Sequence, residues 1–127
     1  MATKAEELRT RAKQFAIRIV RLFKSLPKAE EARIIGKQVL RAGTSVAVNY
    51  RAVCRARSHA EFISKMGVVV EEADETVFWL ELLVDTGIVR KDLMQDLMTE
   101  ANGLLAIFAA SHWTARQKRK VNDPMAR

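Results

Sequence analysis

The sequence predicts an all-α protein, folded as an up-down-up-down antiparallel four-helix bundle. Three observations carry that expectation. Apolar residues recur at steps of three and four through four separate stretches. The two prolines, Pro27 and Pro124, fall at the edges of those stretches and not inside them. Hydrophobic residues make up 49% of the 127 positions, which is enough for one core and too many for a disordered chain.

The first helix is expected from Lys4 to Ser25. Leu8, Ala12, Phe15, Ile19, Leu22 and Leu26 form one apolar face, and Arg9, Arg11, Lys13, Arg18, Arg21 and Lys24 occupy much of the rest. Leu26-Pro27 ends it, because a residue before proline is pushed out of helical geometry. The second helix is expected from about Lys28, with Glu30 and Glu31 at the positive end of its dipole. Val39, Gly43, Val46, Tyr50 and Val53 form its inward row, with Leu40, Ala47 and Cys54 beside them. Gly36 and Gly43 share a face, and each costs about 1 kcal/mol relative to alanine in a helix. Small residues there let a neighbouring helix come close; a break at Gly43-Thr44-Ser45 is the competing reading. The helix is expected to carry a basic cluster at its end, Arg51, Arg55 and Arg57, with the first two one turn apart.

Ser58-His59-Ala60-Glu61 reads as a capping box, in which the serine oxygen accepts from the Glu61 amide and the Glu61 side chain returns to the serine amide. The third helix follows to about Asp85. Phe62, Met66, Val69, Ala73, Thr76, Leu80 and Leu83 make one row, Ile63, Gly67, Val70, Val77 and Val84 a second, and Phe78, Trp79 and Leu82 a third side. A bundle helix needs one apolar stripe, so this surplus predicts burial on two sides, at the bundle centre or at a subunit interface. Gly87 is the expected stop. A fourth helix from about Arg90 uses Leu93, Leu97, Ala101, Leu104 and Phe108. Residues 1–115 therefore make the bundle, and 116–127 a basic, mobile tail that Pro124 keeps from extending the helix.

Charge is distributed unevenly. Residues 1–57 carry 14 Lys/Arg against 4 Asp/Glu, a net of +10; residues 58–86 carry 1 against 7, a net of −6; residues 87–127 carry 7 against 4, a net of +3. A basic surface of this size points to a polyanion partner, with nucleic acid ahead of an acidic membrane. The bland alternative is solubility plus pairing with the acidic segment. The candidate phosphate contacts are Arg51, Arg55 and Arg57, helped by Arg18, Arg21 and the run Lys118, Arg119 and Lys120. No stretch approaches a membrane span, no secretory signal core is present, and one cysteine cannot form an internal disulfide, so a cytoplasmic protein is expected.

Chemistry beyond binding finds little support. No glutamate is followed three positions later by histidine, the pattern of di-iron bundles, and neither His59 nor His112 has a ligand set around it. Cys54 reads as a buried or half-buried inert thiol. The acids Glu71, Glu72, Asp74 and Glu75 are expected to face a polar layer of Arg41, Thr44, Ser45 and Asn49 on the second helix, which would fix register. No cofactor, no metal and no enzyme activity are expected.

Three blocks are recognisable: Thr44-Ser45-Val46-Ala47-Val48-Asn49-Tyr50-Arg51-Ala52; Ala60-Glu61-Phe62 with Lys65; and Glu71-Glu72-Ala73-Asp74-Glu75-Thr76-Val77-Phe78-Trp79-Leu80-Glu81-Leu82-Leu83. In these the chain resembles the small bacterial four-helix-bundle proteins encoded in intervening sequences of 23S ribosomal RNA genes. Accessory proteins of diversity-generating retroelements are more distant relatives. The resemblance covers about residues 10–112 and is specific in the two central helices. It implies a ring-like homopentamer without enzyme activity and, in the retroelement branch, a basic ring that binds nucleic acid and a reverse transcriptase. The matched residues carry over as fold and interface positions. The expected function is thus a homo-oligomeric nucleic-acid-binding protein, RNA favoured, with a protein-interaction scaffold as the alternative.

Overall fold

The computed structural model describes residues 1–122, the last four of these by backbone alone. Four helices, α1 (Lys4–Ser25), α2 (Glu30–Val53), α3 (His59–Asp85) and α4 (Lys91–Asn122), take up 86% of the described residues, with no strand among them. Each helix packs on the next in the chain, and α4 closes more loosely on α1. This is the up-down-up-down order that short connections impose.

The ends follow local chemistry. Thr3 caps α1 by accepting from the Glu6 amide at 3.1 Å, and Leu26 turns extended ahead of Pro27. The chain stays non-helical through Ala29, so α2 begins two residues later than expected, its N-cap making no side-chain hydrogen bond. Ser58 Oγ accepts from the Glu61 amide at 3.0 Å, as the capping box requires. Gly87, with φ +76°, closes α3 by donating to the Val84 carbonyl, a conformation that an L side chain resists. The helix break expected before Arg116 does not occur. Residues 114–122 hold no glycine or proline, and their Arg, Gln and Lys residues favour helix, so α4 continues through Asn122. The rest of the expected tail, 123–127, lies outside the described residues.

The core is built from the inward rows: Phe15 and Ile19 of α1, Val39, Val46 and Tyr50 of α2, Met66, Val69, Leu80 and Leu83 of α3, and Met94, Leu104 and Phe108 of α4. The glycines of α2 sit where α1 comes closest. A Cβ on Gly43 would lie 2.8 Å from Ile19, and one on Gly36 would lie 2.7 Å from Leu26. The helix runs unbroken through Gly43-Thr44-Ser45. The expected polar layer is smaller than the sequence suggests. Arg41 alone crosses to α3, bonding Glu72 and Glu75, while Thr44 bonds the Leu40 carbonyl and Asn49 the Ser45 carbonyl on their own helix. Short hydroxyl and amide groups reach the preceding turn more easily than the next helix. Part of the apolar surplus on α3 is absorbed by its two neighbours, α2 and α4, but Val68 and Phe78 stay 40% and 53% exposed.

Candidate nucleic-acid interface

The basic cluster sits where α2 gives way to α3, and its geometry differs from the expectation. The second helix stops at Val53, and the amides of Arg55 and Ala56 fold back to the Ala52 and Val53 carbonyls at 3.0 Å. These tightened bonds use up the last carbonyls, and Ser58 must then be extended to cap α3. Arg51 therefore lies on the final helical turn, whereas Arg55 and Arg57 lie on the connection. They are not a continuous helical row one turn apart. All three are exposed, and none pairs with a carboxylate among the described residues.

The acid nearest the cluster is already engaged. Glu61 bonds Lys65 at 3.0 Å, and that ammonium holds its carboxyl below the usual range, with the Arg57 backbone and charge adding to the effect. Glu61 thus turns to Lys65 in place of the return bond of the capping box. The result leaves Arg51 without the α3 partner that simple antiparallel register would suggest.

The fourth helix brings more positive charge to the same end. His59, the first residue of α3, places Nε2 2.9 Å from the Ala115 carbonyl and so ties the two helices together. A shallow cleft of about 430 Å³ lies beside this contact, lined by His59, Phe62, Ser111 and Lys118 among others. Lys118 is exposed there, and so is Arg116 nearby, which the site expectation did not include. Arg119 and Lys120 continue α4 by backbone, and their side chains lie outside the described residues.

Arg18 and Arg21 do not join this end. They occupy the opposite half of α1, about 25 Å along the helix axis from the α2–α3 connection in the case of Arg21. Arg21 is exposed. Arg18 is half-buried and faces α4, where it helps to keep the Glu100 carboxyl low. The main cause of that shift is Arg11, whose guanidinium grips both Glu100 oxygens at 2.7 and 2.8 Å across the looser α1–α4 seam.

Among the described residues, no hydrogen bond joins Cys54 to a histidine, and His59 bonds the Ala115 carbonyl. Cys54 is exposed, where a buried or half-buried thiol was expected. It raises the pKa of Tyr50, which burial above all pushes to about 12. No cluster of three or more metal-ligating side chains occurs among the described residues. The end of the bundle offers guanidinium and ammonium groups, which recognise phosphate by charge and by hydrogen bonding.

Comparison with known proteins adds a family. A family model described as 23S rRNA-intervening sequence protein matches residues 5–110, nearly all of the bundle. The chain belongs to that family. No curated protein matches it. Among solved structures, it is similar to a protein of unknown function from the S23 ribosomal protein family of Bacteroides thetaiotaomicron. The TM-score is 0.80 and the identity 31%, covering 87% of this chain and 98% of that one. The recognisable blocks in α2 and α3 thus belong to a 23S rRNA-intervening sequence protein. Among the described residues of this family member, no helix is long and apolar enough to cross a membrane.

Proposed function

We propose that this member of the 23S rRNA-intervening sequence protein family is a non-enzymatic, homo-oligomeric RNA-binding protein that contacts phosphates. Five subunits is the number that the family resemblance implies. One observation carries the binding part of this reading. Arg51, Arg55 and Arg57, with Arg116 and Lys118, gather at one end of the bundle, exposed and without ion-pair partners among the described residues. Had the positive charge served internal pairing with α3, its acids would engage these arginines. Of those acids, Glu72 and Glu75 engage Arg41 and Glu61 engages Lys65, and none forms an ion pair with Arg51, Arg55 or Arg57 among the described residues. Exposed Trp113, one turn before Arg116 on α4, offers a ring on which any base can stack, so binding is general to sequence.

The test is a salt titration of RNA binding. Each arginine on a phosphate displaces counterions, giving a log–log slope of about −0.7 per contact on a single strand. Changing Arg51→Gln, Arg55→Gln and Arg57→Gln together weakens binding to every sequence and flattens that slope by about 2. A folded triple variant with unchanged affinity and slope would remove the cluster from the interface. It would also put forward the scaffold reading, in which the partner is a protein such as a reverse transcriptase.

A further inference from the structure

The outer side of α3 carries a second pattern that RNA binding does not use. Glu71, Asp74, Phe78, Glu81 and Asp85 recur at steps of three and four, so they form one stripe about 21 Å long on the side away from the core. All five are exposed, and the four acids form no ion pair among the described residues. Phe78 sits in the middle of the stripe, with its ring set against Trp79 edge-to-face at a centroid distance of 5.0 Å. Trp79 is itself anchored, donating from Nε1 to Glu75 at 3.2 Å. An exposed aromatic ring held in one orientation among charges has the form of an interface anchor, because little conformational freedom is lost when it is covered.

The opposite pattern lies on the outside of the α1–α2 pair. Gly43 against Ile19 and Gly36 against Phe23 set the register of those helices, placing Lys24 level with Lys37 and Lys13 level with Val48. Lys13, Lys24 and Lys37 are exposed and form no ion pair among the described residues. Between them Val20 and Val48 are 36% and 68% exposed. One face thus carries acids around an aromatic ring, and the other carries lysines around two valines.

We propose that the α3 stripe of one copy docks on the α1–α2 lysine face of a second copy. This inference rests on the homo-oligomeric part of the function proposed above and names its interface. Charge decides the arrangement. A two-fold contact of α3 on α3 would set acid against acid, which is repulsive, whereas α3 on α1–α2 sets acids against lysines and Phe78 against valines. The contact is therefore head-to-tail, and each copy keeps one free face of each kind until a ring closes or a filament grows.

Two variants and their mixture test the interface by light scattering after size exclusion. The first reverses the stripe, Glu71→Lys, Asp74→Lys and Glu81→Lys; the second reverses the lysine face, Lys13→Glu, Lys24→Glu and Lys37→Glu. All six positions are exposed, and circular dichroism checks that the helices persist. Each variant alone is expected to run as a 14.4 kDa monomer. Their equal mixture is expected to assemble again, because every contact between unlike copies is acid on base; unlike copies must alternate, so this assembly holds an even number of subunits even where the wild-type ring is odd. A monomeric wild-type protein would overturn the homo-oligomeric reading and this interface together. If the wild type assembles and either variant assembles equally well alone, the interface lies elsewhere. If both variants are folded monomers but the mixture stays monomeric, the two faces do not meet. Arg51, Arg55 and Arg57 are untouched in both variants, so RNA binding is judged separately.

Discussion

At the scale of single residues, Gly36 and Gly43 show how similar distances lead to different outcomes. A Cβ on Gly43 would meet Ile19 Cγ1 and Cγ2 at 2.8 and 3.0 Å, on a β-branched side chain that is fully buried and stiff about χ1. A Cβ on Gly36 would meet the far end of half-buried Leu26 at 2.7 Å and the ring of half-buried Phe23 at 3.3 Å, both flexible side-chain ends and not a branched Cβ. Replacing either glycine with alanine gains about 1 kcal/mol of helix propensity. For Gly43→Ala, overpacking of about 1–3 kcal/mol outweighs that gain and the protein melts earlier. For Gly36→Ala the melting temperature holds or rises. Thermal unfolding followed at 222 nm separates the two, and equal losses would contradict the difference in compliance.

The Arg11–Glu100 pair supplies a residue-scale prediction in pH. Arg11 lowers the folded-state pKa of Glu100 below its unfolded value. Its stabilisation is therefore present above the unfolded pKa, about 4.3, and is lost as pH falls through the lower folded value. At neutral pH Glu100→Gln costs about 0.5–1 kcal/mol, the size of a part-exposed bidentate pair. The gap between wild type and variant closes in acid. Urea denaturation at pH 7 and below pH 3 measures it, and a gap that persists in acid would assign the loss to packing rather than charge.

At the scale of elements, the helix phases were legible because burial repeats with the helix period. The row through Phe15 and Ile19, and that through Met66, Val69, Ala73 and Leu80, are the buried faces of α1 and α3. Ala73 is 4% exposed and opposite the acidic stripe. Ala73→Asp therefore places an unpaired charge in the core and costs about 3 kcal/mol or more. An unchanged melting temperature would mean that α3 is rotated. The ends of α2 were less legible. Its start lacks a capping side chain, and its last turn is closed by backbone bonds that leave no mark in residue type. For that reason Arg55 read as helical when it lies on the connection. The continuation of α4 was missed for the converse reason, since a basic run reads as a tail although its residues favour helix.

At the scale of the whole molecule, six of the eight basic residues singled out from the sequence divide into two groups. Arg51, Arg55, Arg57 and Lys118 share one end of the bundle, and Arg18 and Arg21 lie toward the other. An oligonucleotide too short to span about 25 Å engages one group at a time. Arg18→Gln with Arg21→Gln is then expected to leave its affinity for the cluster within about twofold while weakening a long RNA. Fluorescence anisotropy with both lengths decides this, and equal losses for the two would return Arg18 and Arg21 to the same site.

Residue order alone carries the four helices, their inward rows and the separation of basic from acidic segments, because periodicity and charge are written residue by residue. The recognisable blocks in α2 and α3 also marked the family. Which charges find partners is settled by the packing of the helices. Whether Glu61 meets Arg51 or Lys65, whether Arg41 or Thr44 crosses to α3, and whether Arg18 faces solvent or Glu100 depend on side-chain reach and helix register. Those distances differ by a few ångströms between competing pairings, and a pattern of residue types along one chain does not encode them.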